Sequence, residues 1–195
     1  MKIFKRVLFM NDHLKQILEK IIPKMRASNI KYWVYGGLGY ASIVGRFYRN
    51  IPDVDLFVLD KEFEKVEEIL GDLSKENKWK ICKTFIRSGR PKIELYINNK
   101  ERCSVIPVYT IDEYVEFKFS KGSQRYPLDI LEQVERKLEN FEFYTPQDNF
   151  LKLLLSGYLE SKTNYPKKRI EDARHILSKK EFEKYFPNEC YAHNF

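Results

Sequence analysis

The stretch YWVYGGLGYASIVGRFYRNIPDVDLFVL, residues Tyr32–Leu59, contains the features that decide the fold. It begins with a short apolar run, Tyr32–Tyr35, followed by Gly36-Gly37, here called the diglycine, and then by a short helical pattern. Glycine allows a sharp backbone turn and lets an anion approach the main-chain N–H groups at the start of a helix. The pattern therefore predicts a strand, a turn and a helix, with a turn that can bind phosphate.

Two acidic residues, Asp53 and Asp55, here called the aspartate pair, stand on the second apolar run of this stretch. Alternate residues of a strand point to the same face, so the two carboxylates are predicted to lie side by side while Val54 and Leu56 face the core. Burial strengthens the repulsion between them, and a divalent cation removes it. Carboxylate oxygens are the ligands that Mg²⁺ prefers, although an Asp-x-Asp pair also occurs at solvated strand edges.

The combination resembles the signature of the nucleotidyltransferase superfamily that includes DNA polymerase β. Fifteen residues separate the diglycine from the aspartate pair, a spacing similar to that of the lincosamide and aminoglycoside nucleotidyltransferases. Gly45, Arg46 and Arg49 lie where that branch has a Gly-Arg-x-x-Arg segment. The branch usually has His two residues after the second Arg, and this chain has Ile51 there, a departure that concerns recognition of the branch's acceptors and not the metal site.

The resemblance implies transfer of a nucleoside monophosphate from a magnesium nucleoside triphosphate, ATP among the candidates, to an acceptor hydroxyl, with release of pyrophosphate. It implies two Mg²⁺ ions, with Asp53 and Asp55 as ligands of both. Phosphoryl transfer requires mainly positioning and charge neutralisation, which such a site supplies. The residues that we assign to nucleotide binding are Gly36, Gly37, Arg46, Arg49 and Lys152. Surface positions are the ordinary alternative for the two arginines and the lysine.

A third acid, Glu94, interrupts an apolar strand pattern between Ile93 and Leu95. A carboxylate in that setting is costly unless it has a partner, and the ordinary alternative is an edge-strand Glu that faces water. The resembled superfamily has its third acid on a later strand with apolar neighbours. Glu94 has that setting, whereas Glu101 lies in a turn-like stretch, so the resemblance implies that Glu94 is the third metal ligand and accepts the acceptor's proton.

The whole chain predicts an α+β fold with a small mixed β-sheet core flanked by helices and a C-terminal helical segment. We expect residues 1–144 to form the nucleotidyltransferase core with an N-terminal helix, and residues 145–195 to form a C-terminal helical subdomain. The segment from Pro127 to Leu138 is predicted to be helical, and Thr145 is predicted to cap the next helix. Lys167–Arg169 and Asp172 stand where the resembled family has a basic segment and an Asp near a closing Leu.

Composition adds broad limits. The 195 residues include 43% hydrophobic ones, enough for a real core, and no apolar run is long enough for a membrane span. Three cysteines without metal-ligand spacing predict reduced thiols in a cytoplasmic protein. The net charge of +7 favours an anionic partner, nucleotide or RNA, although a lysine-rich surface explains it equally well. Abundant Lys and Glu with little Gln is a bias seen in hyperthermophiles.

Three other functions remain open from the sequence. The first is a non-catalytic nucleotide- or RNA-binding module on the same fold. The second is an antitoxin-like nucleotidyltransferase that modifies a partner protein, although that branch tends toward Gly-Ser and a shorter spacer. The third is a metal-dependent glycosyltransferase, which usually has a longer chain. The acceptor stays open among an antibiotic or other small alcohol, an RNA end and a protein side chain, and the sequence predicts no oligomeric state.

Overall fold

A computed structural model describes residues 12–86, 89–119, 122–162 and 164–191. The helices of this part of the chain are α1 (Asp12–Ala27), α2 (Gly36–Val44), α3 (Phe63–Asn77), α4 (Asp148–Glu160), α5 (Lys167–Ile176) and α6 (Lys179–Tyr185). The strands are β1 (Tyr32–Tyr35), β2 (Val54–Leu59), β3 (Lys80–Phe85), β4 (Pro91–Ile97), β5 (Lys100–Ile111), β6 (Tyr114–Phe119), β7 (Gly122–Pro127), β8 (Val134–Leu138) and β9 (Phe141–Thr145). Short 3₁₀ turns at Asp60–Glu62 and Leu128–Leu131 connect some of them.

The main sheet is mixed, with strand order β1-β2-β5-β4-β3. Strand β2 is antiparallel to β1 and parallel to β5, which is antiparallel to β4. The long strand β5 also pairs near its end with β6, which pairs with β7, while β8 and β9 form a separate hairpin. The predicted α+β class with a small mixed sheet is therefore confirmed.

One face of the sheet is covered by helices α1 and α3, which also pack against each other. Alternate residues of β2 and β4 point into this layer, since Val54, Leu56, Ile93 and Leu95 are buried in one apolar cluster with both helices. The intervening residues of the same strands point to the opposite face. Asp55 and Glu94 therefore share the face that these helices leave uncovered.

The C-terminal helices pack against α2. Leu151, Leu155 and Ile176 share a buried apolar cluster with Tyr40 of α2. The side chain of Leu151 comes so close to α2 that a Cβ added at Gly39 would lie 3.2 Å from it. The helices thus hold the helix that begins at the diglycine, while the proposed boundary at residue 145 stays a prediction.

The segment after Pro127 corrects the sequence prediction. It is a single 3₁₀ turn followed by strand β8, not a helix through Leu138. Thr145 lies in β9, and the N-cap of α4 is Gln147. The apolar side chains have helical spacing, but they do not form one helix face. Leu131 and Leu138 are buried in two different apolar clusters. Within the described residues no helix combines the length and apolar character that a membrane span requires.

Candidate active site

Asp55 lies on the open face of the sheet in β2, and Asp53, which was predicted to lie in the same strand, stands just before its first residue. Asp55 is opposite Tyr35 of β1 and Ser104 of β5, and the Ser104 hydroxyl donates a hydrogen bond of 2.7 Å to Asp55 Oδ1. Burial, followed by the charge of Asp53, raises the pKa of Asp55 to about 6, and the Ser104 hydrogen bond works in the opposite direction. The fold thus holds two repelling carboxylates together, a combination that a cation would relieve.

The first glycine of the diglycine lies directly against Asp55. Gly36 has φ +65°, and a Cβ added there would lie 2.5 Å from Asp55 Oδ2. Only glycine combines that backbone conformation with that approach. Helix α2 begins at the diglycine without a side-chain cap, so its first N–H groups are available to an external acceptor beside the aspartate pair.

We expect Gly36→Ala to lower both stability and nucleotide binding, because Ala would be strained at positive φ and would collide with Asp55. The expected loss of unfolding free energy is about 2–3 kcal/mol, the sum of left-handed strain and displacement of the carboxylate. Gly45→Ala is the matched control, since Gly45 has φ +78° and nothing within 4 Å of an added Cβ. Denaturant unfolding of both variants measures the difference, and equal losses would show that contact with Asp55 does not matter.

A buried charge network joins the diglycine to the C-terminal helices. Asp172 of α5 is fully buried and accepts hydrogen bonds from Arg49 Nε at 2.6 Å and Arg49 Nη2 at 2.9 Å. The Tyr48 hydroxyl donates to the same carboxylate at 2.8 Å. A Cβ added at Gly37 would lie 2.7 Å from Arg49 Nη2, so this guanidinium lies against the first turn of α2. Arg49 therefore has a structural partner next to the site.

Arg169, in the first turn of α5, completes this network. Its Nη1 donates to Asp172 Oδ2 at 3.1 Å, and its guanidinium lies 4.9 Å from the centre of the Tyr158 ring. Its buried Nε has no hydrogen-bond partner within the described residues. Burial and the charge of Asp53 raise the pKa of Asp55, whereas the charge of Arg169 lowers it. Arg169 is therefore close enough to Asp55 to act on its carboxylate.

Glu94 lies on the same sheet face as Asp55, since both are opposite Ser104. Two strand spacings separate the Cα atoms of Asp55 and Glu94, about 10 Å. The Glu94 carboxylate accepts from Lys92 Nζ at 2.8 Å and from the Tyr96 hydroxyl at 2.7 Å. Lys92 is the main cause that lowers the pKa of Glu94. The structure thus places Glu94 beside the pair but directs its carboxylate to Lys92 and Tyr96.

The other two predicted nucleotide ligands lie apart from these contacts. Arg46 is exposed after α2 and makes no hydrogen bond or ion pair within the described part of the chain. Lys152 is half-buried on α4. The pKa of Glu181 on α6 is lowered mainly by hydrogen bonds from Ser178 and, to a smaller extent, by the charge of Lys152. Lys152 is therefore near α6. The contacts of the described residues join neither side chain to the aspartate pair.

Several solved structures are similar to this chain. Lincosamide antibiotic adenylyltransferase LnuA with lincomycin bound is 19% identical, with TM-score 0.61 over 86% of this chain and 96% of that one. ANT(2'')-Ia in complex with adenylyl-2''-tobramycin is 18% identical, with TM-score 0.66 over 87% of this chain and 92% of that one. An antigenic nucleotidyltransferase-like protein from Paracoccidioides brasiliensis is 14% identical, with TM-score 0.51 over 91% of this chain and 87% of that one.

The protein has the nucleotidyltransferase fold. The sequence itself matches no protein-family model and no curated protein. At these low identities the likeness shows the fold, and it is the fold that the resemblance of the diglycine and the aspartate pair implied.

Magnesium, which the nucleotidyltransferase fold implies, fits the aspartate pair in part. The charge of Asp53 helps to raise the pKa of Asp55, and two neighbouring carboxylates form a suitable donor set for one divalent ion. Among the described residues no group of three or more His, Cys, Asp or Glu side chains is close enough to hold a metal ion. Glu94 therefore does not join the pair in this arrangement, and the assignment of two ions stays a prediction.

Sequence reasoning missed several members of this candidate site. Ser104, Tyr35 and Tyr40 carry no motif, and only strand register and packing bring them to Asp55. Arg169 and Asp172 had a signal in the loose basic segment and Asp of the C-terminal part. Their link to Arg49 crosses more than 100 residues of sequence, which spacing alone does not predict.

Proposed function

We propose that this protein transfers a nucleoside monophosphate from a nucleoside triphosphate to a hydroxyl acceptor in the presence of Mg²⁺. The observation that carries the proposal is the contact between the start of α2 and Asp55 across Gly36. An anion held by the N–H groups of α2 would lie beside a cation held by the two carboxylates. That juxtaposition suits a triphosphate with its metal ion.

Each residue of the site has a role in this proposal. Asp53 and Asp55 would hold Mg²⁺, which neutralises charge on the phosphates when bound. The diglycine allows the phosphates to approach the α2 N–H groups. Arg169 is the cation best placed to contact the triphosphate, because its Nε has no partner among the described residues. Glu94 would accept the proton of the attacking hydroxyl after its carboxylate leaves Lys92.

A small-molecule alcohol is the acceptor class that we propose first. LnuA was solved with lincomycin, and ANT(2'')-Ia with adenylyl-2''-tobramycin, so two structures of this fold hold small acceptors or their products. The open sheet face beside Asp55 carries polar side chains of β4 and β5, which suit a hydroxyl-bearing compound. RNA ends and protein side chains are the other outcomes of the test.

The decisive assay follows two labels. The protein is incubated with Mg²⁺, an acceptor panel and each nucleoside triphosphate carrying label at either the α- or the γ-phosphate. Nucleotidyl transfer places the α label on an acceptor and the γ label in pyrophosphate. Label at γ that reaches the acceptor would indicate a kinase instead and would overturn the proposal. The panel contains lincosamides, aminoglycosides, short RNA and cell-extract protein.

A non-catalytic nucleotide-binding module is the second candidate, because Glu94 is paired with Lys92 and no three-carboxylate group occurs among the described residues. Binding of the triphosphate without movement of either label to any acceptor would favour this function.

We expect Arg169→Ala to weaken triphosphate binding by about tenfold, because it removes a charge-assisted phosphate contact. Arg174→Ala is the matched control on the same helix, since Arg174 contacts Glu189 and the Cys190 carbonyl instead. Titration of a non-hydrolysable triphosphate measures both affinities. Equal affinities for Arg169→Ala and Arg174→Ala would remove Arg169 from the nucleotide site.

A further inference from the structure

Lys92 on β4 has two carboxylate partners at once. Its Nζ lies 2.8 Å from Glu94 Oε1 and 2.7 Å from Glu101 Oε1. The side chains of Lys92, Glu94 and Glu101 are 18%, 15% and 33% exposed, so the ammonium group is largely shielded from water. The second carboxylate is not needed to neutralise Lys92, and its presence therefore requires a reason.

A β-bulge brings Glu101 to this position. Leu95 is opposite Cys103, but the next residue, Tyr96, is opposite Glu101, so Arg102 is the extra residue in β5. In a regular ladder Glu101 would point with the buried Cys103 toward the helices, because side chains alternate between faces. The bulge directs Glu101 to the open face, where Lys92 and Glu94 lie. Bulges that redirect a side chain are common beside active sites.

Glu94 cannot serve both Lys92 and a cation at the aspartate pair with the same oxygens. Removing Glu94 from a lysine that had no other partner would leave a half-buried ammonium unpaired, which is costly. Glu101 removes that cost, since Lys92 keeps one short ion pair when Glu94 turns away. In the arrangement seen here Lys92 holds both carboxylates, and it could release Glu94 while it keeps Glu101.

We propose that Lys92 is a positioning residue that holds Glu94 away from the aspartate pair until a cation binds, and that Glu101 then takes Lys92 alone. The inference rests on the proposed function, because it concerns how the third carboxylate joins that site. It assigns Glu101, which contacts neither the reacting atoms nor the cation, the role of releasing Glu94.

The test is the affinity for Mn²⁺, measured calorimetrically with a non-hydrolysable nucleoside triphosphate present. Lys92→Met is expected to tighten Mn²⁺ binding about fivefold, because Glu94 is released. Glu101→Gln is expected to weaken Mn²⁺ binding about fivefold, because Glu94 is then the carboxylate that Lys92 retains. Both effects are expected to disappear when Glu94→Gln is also present. Lys83→Met is the matched control, since Lys83 on the adjacent strand pairs with Glu67 and not with Glu94.

Three outcomes overturn the inference. In the first, Lys92→Met and Glu101→Gln still change the Mn²⁺ affinity when Glu94→Gln is also present. The charges of Lys92 and Glu101 would then act on the cation without Glu94. Unchanged Mn²⁺ affinity in both single variants would show that the ion pairs do not restrain Glu94. Either result leaves the proposed function intact, whereas a wild-type protein that binds no Mn²⁺ and transfers no nucleotide would overturn both. Glu101→Gln keeps the test valid if Lys92→Met fails to fold.

Discussion

Asp55→Asn is expected to abolish nucleotidyl transfer, with a loss of about 10³-fold or more, because it removes the carboxylate that the diglycine faces. The side chain keeps its size and still accepts the Ser104 hydrogen bond, so the site keeps its shape. Asp53→Asn is expected to act in the same way. Asp72→Asn is the control for loss of one negative charge, since that side chain on α3 is 70% exposed. Label transfer under saturating Mg²⁺ measures all three.

The same substitution is expected to stabilise the protein at neutral pH. The folded-state pKa of Asp55 is raised to about 6, so the folded protein binds a proton more tightly there than the unfolded chain does. Stability is therefore lost as the pH rises from about 4 through about 6, by about 2–3 kcal/mol. Asp55→Asn removes that loss. Urea unfolding with chelator present is expected to show a gain at pH 7.5 that vanishes near pH 4.

A destabilised Asp55→Asn at both pH values would contradict this account. It would mean that the carboxylate has a structural partner beyond Ser104 and that its ionised form supports the fold. Transfer that survives the substitution at the wild-type rate would separate the aspartate pair from the chemistry.

Asp172→Ala is expected to cost about 3–5 kcal/mol of unfolding free energy, because it leaves buried cations without their counter-ion. Arg49 and Arg169 both pair with this carboxylate, and the exposure of the Arg49 side chain is only 7%. The first turn of α2 lies against Arg49, so nucleotide binding is expected to fall as well. Thermal unfolding and triphosphate titration measure the two effects.

Asp148→Ala is the matched control for this prediction. Asp148 also pairs with an arginine, Arg136, but its side chain is 45% exposed, so its removal is expected to cost less than about 1 kcal/mol. Equal costs for Asp172→Ala and Asp148→Ala would show that the buried network does not hold the C-terminal helices to α2.

The stretch around the diglycine was predictable because its pattern is local. Apolar alternation in β2 buries Val54 and Leu56, which fixes the direction of Asp55 without knowledge of other strands. The positive φ of Gly36 agrees with the sharp turn expected after β1. Here local preference and tertiary packing agree, so a short sequence window contains the information.

The segment after Pro127 was not predictable in this way. Its apolar residues have helical spacing, but Val134 pairs with Thr145 in a hairpin that buries Leu138 and Phe143 in the main core. Tertiary contacts override local pattern in such cases. The contacts of Asp172 with Arg49 and of Glu101 with Lys92 have the same origin. The first depends on packing of α5 on α2, and the second involves a bulged register.

The most direct test of the central claim is Mn²⁺ binding to the wild-type protein and to Asp53→Asn and Asp55→Asn, with a non-hydrolysable nucleoside triphosphate present. The aspartate pair is expected to account for the site, so wild-type protein binds Mn²⁺ together with the triphosphate and both variants lose at least about tenfold in Mn²⁺ affinity. Equal Mn²⁺ affinity in all three proteins would contradict a cation site at this pair.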